Sequence, residues 1–155
     1  MNTQELPTTQ RWFAIECNNV AWDLASQTKR STDEDLQMFD AAHASAYHWS
    51  EVGEAINHAR ADMLLAHVHS LLGEGSNALF YGKRALEFCQ NNQCDDMDLP
   101  FALSEVAFAH FVMKHPSEHL NYYEEAVESG KKIEDQIDHQ IFLSEFTRIP
   151  IPAPI

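Results

Sequence analysis

Apolar and small residues recur at every third or fourth position over most of the chain, the spacing that gathers them on one face of an α-helix. The best-specified stretch runs from Ala59 to Cys89. Its first half carries a stripe of Ala59, Met63, Ala66, Ser70 and Gly73, and its second half a stripe of Ala78, Gly82, Ala85 and Cys89. The turn Gly73-Glu74-Gly75 between them predicts a helical hairpin with closely approaching backbones. Leu65, Val68, Leu72, Leu79 and Leu86 then supply the larger contacts to neighbouring elements. Such a hairpin cannot cover its own apolar faces, so the stretch predicts further helix pairs on either side.

Elsewhere the same periodicity is punctuated by recognisable helix ends. Helix 1 is expected to begin after Pro7, with Thr8 or Thr9 as N-cap and an apolar stripe of Phe13, Cys17, Val20 and Leu24. Ser31 followed by Glu34 reads as a capping box that starts helix 2, which runs to about Trp49 and contains the segment AAHASAYHW, residues 41–49. Helix 3 is expected from Glu54 to Leu72, helix 4 from a Ser76 cap to the polar loop 90–97, and helix 5 from an Asp98 cap with Pro100 in its first turn. Between Leu99 and Met113 the only formally charged residue is Glu105, the composition of a helix covered by neighbours on nearly all sides. Helix 6 starts at Pro116, with Gly130 near its end, and helix 7 covers Glu134 to Thr147 with Ile137, Ile141 and Phe142 as its apolar residues. Residues 1–148 therefore read as a single domain, and 149–155 as an extended Pro-rich tail.

Sliding helices 5 and 6 over helices 3 and 4 by 41 positions brings Ala66 onto Ala107, His69 onto His110 and Ala85 onto Ala126, with His119 at the place of Ala78. With Leu65-Ala66, Ala78-Leu79 and Ala85-Leu86 in one copy, and Val106-Ala107, Tyr123 and Ala126 in the other, the pattern resembles a tetratricopeptide repeat. Residues 35–147 also resemble a group of small bacterial helical-repeat proteins. The resemblance implies an all-α fold of antiparallel helical hairpins stacked as a right-handed solenoid, about seven helices in all. It further implies that the first helix of each repeat lines a concave, partner-binding groove. Carried over by position, this names Arg60, Met63, His67 and Ser70 in one copy and Phe101, Ser104, Phe108 and Phe111 in the other. Helix 2 is expected to add His43, Tyr47 and His48.

Charge narrows the partner. Ten Lys and Arg against 24 Asp and Glu give a net charge of −14, which repels phosphate backbones and favours a neutral or basic protein or peptide over nucleic acid. No segment approaches about 18 uncharged apolar residues, and the opening residues have neither a basic start nor an apolar run, so neither a membrane span nor a secretory signal is expected. Cys17, Cys89 and Cys94 form an odd set in helical or polar surroundings, which suits a reducing, cytoplasmic setting without disulfides.

Nine histidines raise the question of metal or acid–base chemistry. Their spacing argues against a site on one helix: His43 and His48 point about 140° apart, and His67 and His69 about 200° apart, so neither pair chelates as a zincin motif does. Asp40 with His43 and His58 with Asp62 are better matched locally. The alternative to a non-catalytic interaction module is a small-molecule or metal site between helices 2, 3 and 5 built from His43, His48 and His67. A self-associating subunit, through helix 1 or the tail, is a third reading. Nucleophile elbows, phosphate-binding Gly loops, dinucleotide fingerprints and EF-hand spacing are all missing from the sequence, so neither an enzyme nor a cofactor is expected.

Overall fold

The structure, a computed structural model, describes residues 5–153, except for the side chain of Glu5. The described residues form seven helices and no strands: α1 Glu5–Ala25, α2 Thr32–Val52, α3 Ala55–Leu71, α4 Gly75–Asn91, α5 Asp98–Val112, α6 Pro116–Gly130 and α7 Gln136–Phe146. Short connections fold α1 on α2, α3 on α4 and α5 on α6, and these hairpins pack one after another. Because α3 also touches both α1 and α5, the first helices of the pairs form one layer; α7 closes the stack against α5 and α6. The expected all-α architecture of consecutive helical hairpins is therefore present. No helix among the described residues is long and apolar enough to cross a membrane.

Local chemistry explains where the chain bends. Ser31 Oγ accepts from the Glu34 amide while the Glu34 carboxylate accepts from the Ser31 amide at 2.7 Å, the reciprocal box that starts α2. At the end of α3, Gly73 has φ +78°, its N–H donates to the Ser70 carbonyl, and the Glu74 N–H reaches back to the His69 carbonyl at 2.8 Å. This pair of bonds closes the helix with a left-handed residue. The same device recurs 41 residues later: Lys114 has φ 61°, its N–H donates to the Phe111 carbonyl, and His115 N–H donates to the His110 carbonyl at 2.9 Å. Above each elbow a histidine stacks on a tyrosine, His69 on Tyr81 and His110 on Tyr122, both at 5.5 Å and within 9° of parallel. The 41-residue offset is thus a structural repeat as well as a sequence one.

The small-residue stripes do pack helix on helix: Ala59, Met63, Ala66, Ser70, Ala78, Ala85 and Cys89 are all buried. A Cβ on Gly82 would lie 3.2 Å from Val106 Cγ2, which shows how near α4 approaches α5. Residues 61–70 of α3 and 102–110 of α5 are buried without interruption, so both helices run through the middle of the domain.

Several expected boundaries and faces differ. The described part of α1 already begins at Glu5 and carries Pro7 in its first turn, where a missing N–H costs no helix bond. Its buried face is Ala14, Ala21, Leu24 and Ala25, while Phe13 and Val20 are 41% and 37% exposed. Small side chains let α1 lie close to α2, where Ser45 Oγ donates to the Ala14 carbonyl at 2.8 Å. α4 starts at Gly75, one residue before the expected Ser76 cap. Asp98 is the first residue of α5 instead of its cap, because its carboxylate is committed to Arg60 and to the Asp95 amide. α7 is anchored by Phe142 and Phe146, and Ile137 and Ile141 are exposed. The core continues past 148: Ile149 is 2% exposed and packs with Phe142 and Phe146, so the tail leaves from inside the domain. Pro154 and Ile155 lie outside the described residues.

Candidate functional site

α3 and α5 run parallel with a register in which residue i meets residue i+38. Two ion pairs mark it, one about two helical turns below the other. At the upper end the Arg60 fork embraces Asp98, Nε to Oδ1 at 2.8 Å and Nη2 to Oδ2 at 2.9 Å, and also reaches Asp95 at 2.5 Å. Bidentate geometry of this kind holds both partners in orientation. The hydrogen bonds that Arg60 donates to Asp98 raise its pKa above the ordinary value, against the opposing effect of burial. At the lower end His67 Nδ1 lies 3.0 Å from Glu105 Oε1, both side chains 2% exposed, roofed by Trp22 at 5.1 Å and edged by Phe108. Burial pushes the His67 pKa down, but the charge and hydrogen bond of Glu105 outweigh it and hold the imidazole above its usual range. His67 Nε2 is left buried without a hydrogen-bond partner.

Above this floor lies a cavity of about 440 Å³ bounded by α1, α3 and α5 of the inner layer and by α7. α1 contributes Trp22 and Asp23, α3 contributes Arg60 and Met63, α5 contributes Phe101, and α7 contributes Ile141 and Glu145. Its walls are apolar and aromatic. Its charged rim is acidic apart from Arg60, which Asp98 and Asp95 already engage. Glu145 Oε2 is 3.3 Å from Arg148 Nη1 in an ion pair that does not form a hydrogen bond.

Of the residues expected in the groove, Arg60, Met63 and Phe101 come together here. His67 lies beneath it and Ser70 is buried, as are Ser104 and Phe108, while Phe111 is 45% exposed at the far end of α5. The residues expected from helix 2 do not join them. His43 and Tyr47 face a separate cleft of about 270 Å³ shared with Ser50, His58, Asp62, Tyr81 and Arg84, on the outer side of α3. His48 turns back to α1, where it meets Gln10 and stacks on Phe13. His43 Nε2 instead contacts His69 Nε2 at 3.2 Å, and His69 Nδ1 bonds Glu74 at 2.6 Å. A site built from His43, His48 and His67 between helices 2, 3 and 5 is therefore not assembled, because α3 puts His67 on the face opposite to His69. Among the described residues no three His, Cys, Asp or Glu side chains are grouped so as to hold a metal ion.

In the outer cleft, burial pushes Asp62 up to about 6 despite Arg84 at 3.2 Å and nearby His58. His58 Nε2 itself is 3.0 Å from the Trp49 carbonyl, so the expected His58–Asp62 pair is not a hydrogen bond.

Reading the sequence did not place Trp22, Asp23, Ile141 and Glu145 in the groove. One signal for the floor was available: Glu105, alone among apolar neighbours, requires a buried partner, and His67 stands to it as Arg60 stands to Asp98. Comparison of this chain with models of protein families, with curated proteins and with solved structures finds no match.

Proposed function

We propose that this chain is a non-catalytic, tetratricopeptide-like interaction module whose inner groove holds an extended segment of a partner protein through a basic side chain set between apolar ones. The observation that carries the reading is the groove between α1, α3, α5 and α7. Trp22, Met63, Phe101 and Ile141 offer apolar and aromatic contact, Asp23 and Glu145 stand at its edge, and Arg60, the one cation among the described lining residues, is already engaged by two carboxylates. A guanidinium or ammonium over Trp22 or Phe101 gains both cation–π and charge attraction, and the −14 charge of the whole chain steers such a partner in. Arg60 and His67 act as the frame of the groove, since each is spent on a carboxylate of α5. The free cysteines Cys17, Cys89 and Cys94 support the cytoplasm as its setting.

Selection from a random displayed-peptide library tests this. The enriched peptides are expected to share a Lys or Arg flanked by aliphatic or aromatic residues. Asp23→Lys with Ile141→Lys, both at exposed positions, should weaken the selected peptides about tenfold or more, whereas Tyr47→Ala on the outer face should not. Peptides of no common charge, or binding indifferent to the groove substitutions but lost with Tyr47, sink the reading.

A further inference from the structure

A cavity larger than the groove lies away from it, at the elbow between α5 and α6, where the chain after α7 crosses over it. Its volume is about 620 Å³, within the range of small-ligand sites. Phe111, Pro116 and Ile151 give it apolar walls, and Phe111 and Ile151 keep 45% and 79% of their surface in solvent. Its ionisable side chains are Lys114, His115 and His119, and none of the described lining residues is acidic. In a chain of net charge −14 that is a local reversal of sign.

His119 is the second, independent observation. It occupies the place that Ala78 fills in the preceding repeat, where a methyl group is fully buried and only packs. His119 is itself 4% exposed, yet its Nε2 has no hydrogen-bond partner. The carbonyl of Pro150, on the crossing segment, lies near the ring and favours its protonated form. A buried ring nitrogen without a partner is costly. It is relieved by a ligand group that supplies or takes a hydrogen bond there.

We propose that this elbow cavity binds a small amphipathic carboxylate, its apolar part between Phe111, Pro116 and Ile151 and its carboxylate on His119, with Lys114 and His115 adding positive charge at the mouth. A bound carboxylate favours the doubly protonated imidazole and accepts from Nε2–H. Without the anion, burial disfavours that charge and pushes the His119 pKa down. Neither Asp23 nor Ile141 of the groove takes part, so the two sites stand or fall separately.

Titration calorimetry of the full chain with decanoate, 1-decanol and decylamine, near neutral pH, tests the assignment. Decanoate is expected to bind about tenfold more tightly than decanol, and decylamine not at all; the ring nitrogens of His119 should shift in NMR spectra on decanoate addition. His119→Asn keeps a polar side chain of similar reach and removes Nε2, and should abolish the preference for decanoate over decanol. Lys114→Gln, at an exposed position, should weaken decanoate severalfold and leave decanol unchanged, and it carries the test if His119→Asn does not fold. Equal affinity for decanoate and decanol, no binding of decanoate, or decanoate affinity untouched by Lys114→Gln overturns the proposal, with buried water then satisfying His119. Asp23→Lys with Ile141→Lys should leave decanoate binding unchanged.

Discussion

At the scale of single residues, the two elbows place one conformational demand on two different side chains. Gly73 and Lys114 occupy equivalent left-handed positions, φ +78° and 61°, and Lys114 is the only non-glycine residue with positive φ among those described. Glycine adopts this region freely, whereas a side chain with a Cβ is strained there. Replacing Lys114 with Gly should therefore raise unfolding stability by about 0.5–1 kcal/mol, and Gly73→Ala should lower it by about 1 kcal/mol. Urea denaturation of the two variants checks both signs, and a Lys114→Gly variant no more stable than the parent would show that the elbow is not strained. Gly73 could be read from the sequence because a glycine announces a turn. Lys114 could not, since nothing in a lysine signals the left-handed region, and only the 41-residue offset points to it.

At the scale of helices, legibility depended on how many faces each helix buries. α3 and α5 were readable as interior because Glu105 is the only formal charge between Leu99 and Met113 and because small residues repeat along α3. α1 and α7 misled, since a stripe of large apolar residues is the usual mark of a buried face; α1 turns an alanine face inward and α7 is held by Phe142 and Phe146 alone. The inner edge of the groove formed by these two helices was lost with them. The register between α3 and α5 was written in charge, Arg60 to Asp98 and His67 to Glu105, and gives the next prediction. Single substitutions His67→Leu or Glu105→Leu leave one buried polar partner alone and should each cost about 3–5 kcal/mol, while the double variant should recover much of that loss. The folded pKa of His67 is raised, so its contribution is fully present below the unfolded value near 6.5 and is lost as pH rises through the higher folded value. Denaturation curves of the four proteins at mildly acidic and alkaline pH should show the coupling shrink with rising pH. Additive single losses would mean that the pair contributes nothing as a pair.

At the scale of the whole molecule, the hairpin stack was foreseeable because each amphipathic pair needs a neighbour, and a chain of such pairs is held by contacts between adjacent units. Two buried clusters result. One joins α3 to α7 through Met63, Leu86, Leu103, Phe142 and Phe146, the other joins α1 and α2 to α3 through Leu24, Met38, Leu64 and Val68, and Leu71 packs against both. If stability is passed from neighbour to neighbour, damage to one cluster should stay on its own side of α3. Met38→Ala and Phe142→Ala each empty a fully buried site and should cost about 2–5 kcal/mol. In native-state hydrogen exchange, Met38→Ala is expected to lower amide protection in α1 and α2 while α6 and α7 keep theirs. Phe142→Ala should do the reverse, and α3 and α5, buried on most sides, should exchange last in both. Equal loss of protection along the entire chain in both variants would instead mark a single cooperative unit, and the repeat-by-repeat account of its stability would fail. Because the groove is shared by α1 and α7, one from each cluster, the same measurement bears on binding: opening at either end should remove one wall of the groove and leave the Arg60–Asp98 frame standing.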